Sequence, residues 1–189
     1  MGDIMIIPVG VSKRHIHLTK EIYEELFGSK EMEVRNYLKQ PTQFASTDTL
    51  DIKWNNQIIN HVRIVGPLRD YNQVEINESD SKILGVNPPR RQSHDLNGSL
   101  PIILVGPNKE VYLNEGLILA EKHIHMDEES ARRLNLENKE SVNVYINNEY
   151  AFDAKIKTSK EAFIELHIDT DEEQKYNLHQ DDLVLFHKK

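Results

Sequence analysis

The chain contains no cysteine. Disulfides, thiolate metal sites and a cysteine nucleophile are therefore excluded, and any metal must be held by His, Asp or Glu. The lack of thiols also suits a reducing compartment. No apolar run approaches the roughly 20 residues of a membrane-spanning helix. The start, Met1-Gly2-Asp3 before a short apolar stretch, lacks the basic region and length of a secretory signal, so a cytoplasmic protein is expected. There is no P-loop, no G-x-G-x-x-G and no Gly-x-Ser-x-Gly elbow. Positive charge is in short supply, with 23 Lys and Arg against 31 Asp and Glu and a net charge of −8. That balance argues against general nucleic-acid binding. A polyanionic small ligand would need a local basic patch, for which Arg63, Arg69, Arg90 and Arg91 are candidates.

The 189 residues suit one large domain or two small ones. What the chain does have is histidine, and four of its nine histidines occur in two His-Ile-His tripeptides. The first reads Arg14-His15-Ile16-His17-Leu18, and the second Lys122-His123-Ile124-His125-Met126. On an extended strand residues i and i+2 share a face, roughly 6.5–7 Å apart. Two imidazoles so placed can reach one metal ion, and the recurrence marks a duplicated unit.

The surroundings repeat as well. Residues 4–11 predict a strand running into the first tripeptide. Thr19 is placed to cap a helix over 20–27 that Gly28 ends, and Asp127 repeats the cap before Ala131, Leu134 and Leu136. Lys30-Glu31 before a strand at Val34 parallels Lys139-Glu140 before 142–146. Val74-Glu75-Ile76 and Leu166-His167-Ile168 each lead into an acidic turn, which makes Glu75 and His167 equivalent. The repetition thus proposes two donor sets, His15, His17, Glu75 and His123, His125, His167. Three protein ligands with open positions is the layout of catalytic zinc.

Between these motifs lie β-prone runs at 49–54, 57–65, 100–105, 110–113, 117–120, 150–157 and 183–187, broken by Asn55-Asn56, Gly66-Pro67 and Asn147-Asn148. Such spacing predicts barrels or a compact mixed β fold. Residues 87–99 have no periodicity and are expected to form a functional loop. Arg69, six residues before Glu75, suits an oxyanion such as phosphate, because its planar fork donates two hydrogen bonds at once. His61, His94, His179 and His187 are expected to be ordinary surface or core histidines.

These motifs resemble the PduL-type phosphotransacylase (phosphate propanoyltransferase) family. The resemblance rests on Val9-Gly10-Val11-Ser12-Lys13-Arg14-His15-Ile16-His17-Leu18, Gly66-Pro67-Leu68-Arg69, Val74-Glu75-Ile76, Leu104-Val105-Gly106-Pro107, His123-Ile124-His125-Met126 and His167-Ile168-Asp169-Thr170-Asp171-Glu172. It implies exchange of a propanoyl or acetyl group between coenzyme A and phosphate, with small-molecule substrates and no membrane partner. It implies a mainly β fold with short helices, made of two pseudo-symmetric β-barrel domains with the active site between them. Residues 14–121 would form one barrel, and 122–189 with the strand 4–13 the other. Two divalent ions, as Zn2+, would sit on His15, His17, Glu75, His123, His125 and His167, phosphate on Arg69, and coenzyme A against Arg90, Arg91 and Ser93. The family often has Ser-Gly-Asp where this chain has Ser93-His94-Asp95, and Ala-Asn where it has Glu173-Gln174. The short stretch before the first strand points to a free cytoplasmic enzyme without a microcompartment-targeting extension. The oligomer is not fixed by sequence, a homodimer being one arrangement. Two other readings remain at this point: a metal-dependent (thio)ester hydrolase, and a non-catalytic module with structural metal.

Overall fold

The computed structural model of the protein describes residues 4–189. In chain order the first repeat comprises β1 (Ile4–Ser12), β2 (His15–His17), α1 (Lys20–Phe27), β3 (Val34–Tyr37), β4 (Phe44–Trp54), β5 (Gln57–Gly66), β6 (Gln73–Ile76), α2 (Glu78–Leu84), β7 (Arg90–Arg91) and β8 (Leu100–Val105). The second comprises β9 (Glu110–Ala120), β10 (His123–Asp127), α3 (Glu128–Arg133), β11 (Ser141–Ile146), β12 (Glu149–Ser159), β13 (Glu165–Asp169), α4 (Thr170–Tyr176) and β14 (Leu183–Lys188).

The fold is mostly strand, arranged as two closed six-stranded barrels. One barrel runs β1-β13-β10-β12-β11-β14 and back to β1. The other runs β4-β5-β2-β6-β9-β8, closed by β8 on β4, with β3 and β7 added outside the ring. Closure removes the unpaired edges that an open sheet would present. The chain divides into two compact units, Lys13–Ala120 and the described residues up to Ser12 with Glu121–Lys189. Each repeat therefore sends its leading strand, β1 or β9, into the barrel built by the other repeat.

The pairing senses match strand for strand. β2 lies parallel to β5 and antiparallel to β6, as β10 lies parallel to β12 and antiparallel to β13. β9 is parallel to β6, as β1 is to β13. This mapping corrects one parallel drawn from sequence. The counterpart of β11 is β4, not the strand at Val34, because β4 and β11 hold the same ring position while β3 pairs only with β4. Lys-Glu before a valine is too common a string to fix that register. A second difference joins the separate runs 110–113 and 117–120 into one strand, β9, through Gly116 at φ +125°.

Period-2 alternation divides each strand between core and outer face. Ile16, Ile64, Val74, Ile76 and Leu117 are buried in one core; Val9, Ile124, Ile156, Leu166 and Ile168 in the other. The histidines and acids flanking these residues consequently face away from the cores. Matched caps hold the helices. Asn77 and Asp169 each close a capping box with Asp80 and Glu172, and Gly85 and Asn177 end α2 and α4 in left-handed conformation. The basic residue before each tripeptide reaches the same helix turn: Arg14 pairs with Asp80 and Lys122 with Glu172.

Candidate functional site

The barrel register brings each donor set together. In the Lys13–Ala120 barrel His15 lies directly opposite Glu75 on the antiparallel partner strand, and in the other barrel His123 lies opposite His167. Glu75 and His167 are thus equivalent by register as well as by sequence. His15, His17 and Glu75 form one group, and His123, His125 and His167 another, with one ligand atom from each residue lying within 4.8 Å of the others.

The separations suit a divalent ion. A tetrahedral site with bonds of about 2.05 Å has edges of about 3.3 Å. His15 and His17 bring their Nε2 atoms to 3.2 Å, and Glu75 carboxylate oxygens lie 3.7 and 3.6 Å from them. The Nε2 atoms of His123 and His125 are 3.1 Å apart. The ring nitrogens on the other side are held by main-chain carbonyls. His15 Nδ1 is 2.8 Å from the Lys13 oxygen, His17 Nδ1 3.1 Å from that of Val65, and His123 Nδ1 2.8 Å from that of Glu121. A carbonyl only accepts, so each Nδ1 carries the proton and each Nε2 presents a lone pair. Burial pushes His17 below the usual imidazole value, against the opposing pull of Glu75. It is neutral at pH 7, as a ligand nitrogen must be.

Around the first group, Ser93 donates to Glu75 at 2.6 Å. Tyr71 packs edge-on against His17, with ring centroids 6.1 Å apart, and lies 5.9 Å from the His94 ring. Burial raises the Tyr71 hydroxyl to about 12, so it remains a donor at neutral pH. Arg69 is anchored where β2 ends: its backbone N–H donates to the Leu18 carbonyl at 2.7 Å and it bridges Thr19. Its Nε is buried with no hydrogen-bond partner among the described residues. Its charge acts on both His17 and Tyr71. Gln73, fully buried opposite His17, holds the 92–95 loop by donating to the Asp95 carbonyl and accepting from the His94 N–H.

The remaining sequence candidates fall elsewhere. Arg63 donates to the Ser46 and Thr47 carbonyls. Arg90 pairs with Glu78 and donates to the Ala120 carbonyl, while Arg91 donates to the carbonyls of Asn97 and Arg90. Ser93 is the member of that loop that reaches a donor group. His187 stacks on Tyr145, and His179 pairs with Asp182. Sequence reasoning missed Tyr71, Gln73 and Glu165. Glu165 was legible in principle, being two residues from His167 and hence on the same strand face.

Twin six-stranded barrels, each presenting three side chains that could hold a metal ion, two histidines with a glutamate in one and three histidines in the other, define a duplicated two-barrel protein. The family model described as phosphate propanoyltransferase matches residues 8–179. The chain belongs to the phosphate propanoyltransferase family, whose members are acyltransferases. It is 40% identical over 176 residues to the phosphate propanoyltransferase of Levilactobacillus brevis, covering 91% of this chain and 84% of that protein. It is 39% identical over 183 residues to the Thermotoga maritima enzyme of the same name, covering 94% and 87%. The Rhodobacter capsulatus phosphate propanoyltransferase is 36% identical over 190 residues, covering 98% and 88%. No helix of the described residues is long and apolar enough to cross a membrane.

Proposed function

We propose that the chain transfers a short acyl group, propanoyl or acetyl, between coenzyme A and inorganic phosphate. One divalent ion, zinc by donor type, is assigned to His15, His17 and Glu75, and a second to His123, His125 and His167. The observation that carries this reading is the pair of register-equivalent donor groups in a chain matching the phosphate propanoyltransferase family almost throughout. When bound, such ions supply Lewis acidity and charge stabilisation at the reacting oxygens.

The chain's own residues do the rest. Arg69 carries a buried N–H with no hydrogen-bond partner among the described residues, which favours an anionic oxygen strongly. It binds phosphate and aims one oxygen at the thioester carbon. That oxygen forms the new C–O bond as the C–S bond breaks, and coenzyme A leaves as thiolate. Tyr71, protonated, is within reach of this site as a second donor to phosphate. Ser93 holds the Glu75 carboxylate in orientation through its hydrogen bond. Arg90 and Arg91, each about one-third exposed, are assigned to the phosphates of coenzyme A. Holding both substrates side by side contributes much of the rate.

The test is thiol release and acyl phosphate formation from acetyl-CoA and propanoyl-CoA, with and without phosphate, before and after chelator treatment. Activity should require phosphate and be lost on metal removal. Thiol release without phosphate would instead identify the hydrolase. Arg69→Ala should weaken phosphate use by about 10–100-fold, the worth of a charge-assisted pair of roughly 1.5–3 kcal/mol. Its acyl-CoA KM and melting temperature should stay near those of the parent. Equal phosphate use by Arg69→Ala would remove the role given to that residue. Acetyl and propanoyl differ by one methylene, so the kcat/KM preference should stay within about 200-fold.

A further inference from the structure

The two donor groups differ in where their carboxylate sits. In the first barrel the paired positions on β6 are Gln73 and Glu75; on β13 they are Glu165 and His167. Glu75 is itself one of the three donors, and Gln73 is turned to the 92–95 loop. In the second barrel all three donors are histidines, and the carboxylate has moved to the other position. Glu165 lies directly opposite His125, is 3% exposed, and stands 2.7 Å from Nε2 of His167.

That contact sets His167 apart. His15, His17 and His123 each give Nδ1 to a main-chain carbonyl and keep Nε2 for a ligand. A carboxylate oxygen 2.7 Å from a ring nitrogen accepts a hydrogen bond from that nitrogen's N–H, so His167 keeps Nδ1 for a ligand instead. Space is made for this arrangement. Gly10 lies opposite His167, and a Cβ there would come within 2.8 Å of His167 Cδ2 and 2.9 Å of a Glu165 oxygen. At the equivalent position of the other barrel, opposite Glu75, stands Ile118.

We propose that Glu165 is a positioning residue for the second centre: it accepts a hydrogen bond from the Nε2–H of His167, fixes the ring with Nδ1 as its only ligand atom, and supplies the negative charge that Glu75 supplies directly in the first centre. This rests on the reading of His123, His125 and His167 as ligands. A carboxylate behind an imidazole raises its basicity and fixes its tautomer, and losing one typically weakens metal binding 10–100-fold. Each centre thus keeps one carboxylate, in contact with the ion in one barrel and one hydrogen bond removed in the other.

Two measurements test it on the full chain. Two-bond 1H–15N spectra of the zinc-loaded parent should show His167 metal-bound through Nδ1 with Nε2 protonated, and His15, His17 and His123 the reverse. A zinc-bound Nε2 on His167 would overturn the proposal without recourse to any variant. Zinc competition with a chromophoric chelator then separates the layers. The parent should bind two ions and His17→Ala one; no zinc binding at all would sink the ligand reading itself. Adding Glu165→Gln to His17→Ala should leave one ion bound 10–100-fold more weakly. Unchanged affinity, or a lowered metal-free melting temperature with unchanged affinity, would leave Glu165 a packing residue and overturn its positioning role.

Discussion

At the scale of single residues, burial decides protonation. Tyr23 is almost fully buried and donates to Asp48 at 2.5 Å, while Lys30 reaches the same carboxylate at 2.5 Å. Burial, then Asp48, push the Tyr23 hydroxyl far above the usual tyrosine value of 10.0. The unfolded chain releases this proton near the usual value and the folded chain retains it. The stabilisation is therefore complete below the usual value and drains away as pH rises towards the raised folded value. Urea midpoints taken across the alkaline range should fall with pH, and Tyr23→Phe should flatten that fall; an unaltered slope would assign it to other groups. The donor histidines were legible because spacing of two on a strand and recurrence at a fixed offset are both written in the residues. Arg69 was suggested by its place before Glu75. The partner of His167 was overlooked because a glutamate beside an acidic turn resembles solvated charge; its spacing of two from His167 and its burial distinguish it.

At the scale of elements, caps and a single glycine carry the geometry. α2 and α4 are seven residues each, too short to persist alone. Asn77→Ala or Asp169→Ala should each cost about 1 kcal/mol, read as a lowered urea midpoint. β9 turns from its β8 pairing to its β6 pairing around Gly116. A Cβ there meets the Asn72 carbonyl oxygen at 2.7 Å, and that oxygen is backbone and cannot swing aside. Gly116→Ala, combining this clash with an unfavourable φ, should destabilise by about 1–3 kcal/mol in the same measurement. The helices were legible because caps and stop signals are local. β9 was read as two strands because the glycine that bends one strand looks the same as one that ends it.

At the scale of the whole molecule, the exchanged strands govern independence. Residues 13–120 contain every strand of one barrel, whereas 121–189 lack β1 and leave β13 and β14 each with one neighbour instead of two. The fragment 13–120 should fold by itself, with a cooperative melt and dispersed NMR resonances. The fragment 121–189 should do so only when a peptide of residues 4–12 is added. Independent folding of 121–189 would show that β1 is dispensable. The duplication was legible in motif order, but the exchange was not read from the residues alone, because an apolar run carries no address for its neighbours. Only the family resemblance placed the first strand with the later half.

That address has a consequence during synthesis. β1 emerges from the ribosome before every other described strand, yet the two it pairs with, β13 and β14, come last among them. At about 5–20 residues per second, it waits roughly 10–35 s with three isoleucines and its hydrogen-bonding edges uncovered. The nascent chain should therefore engage holding chaperones, and its yield in cells should track their supply more closely than its final stability.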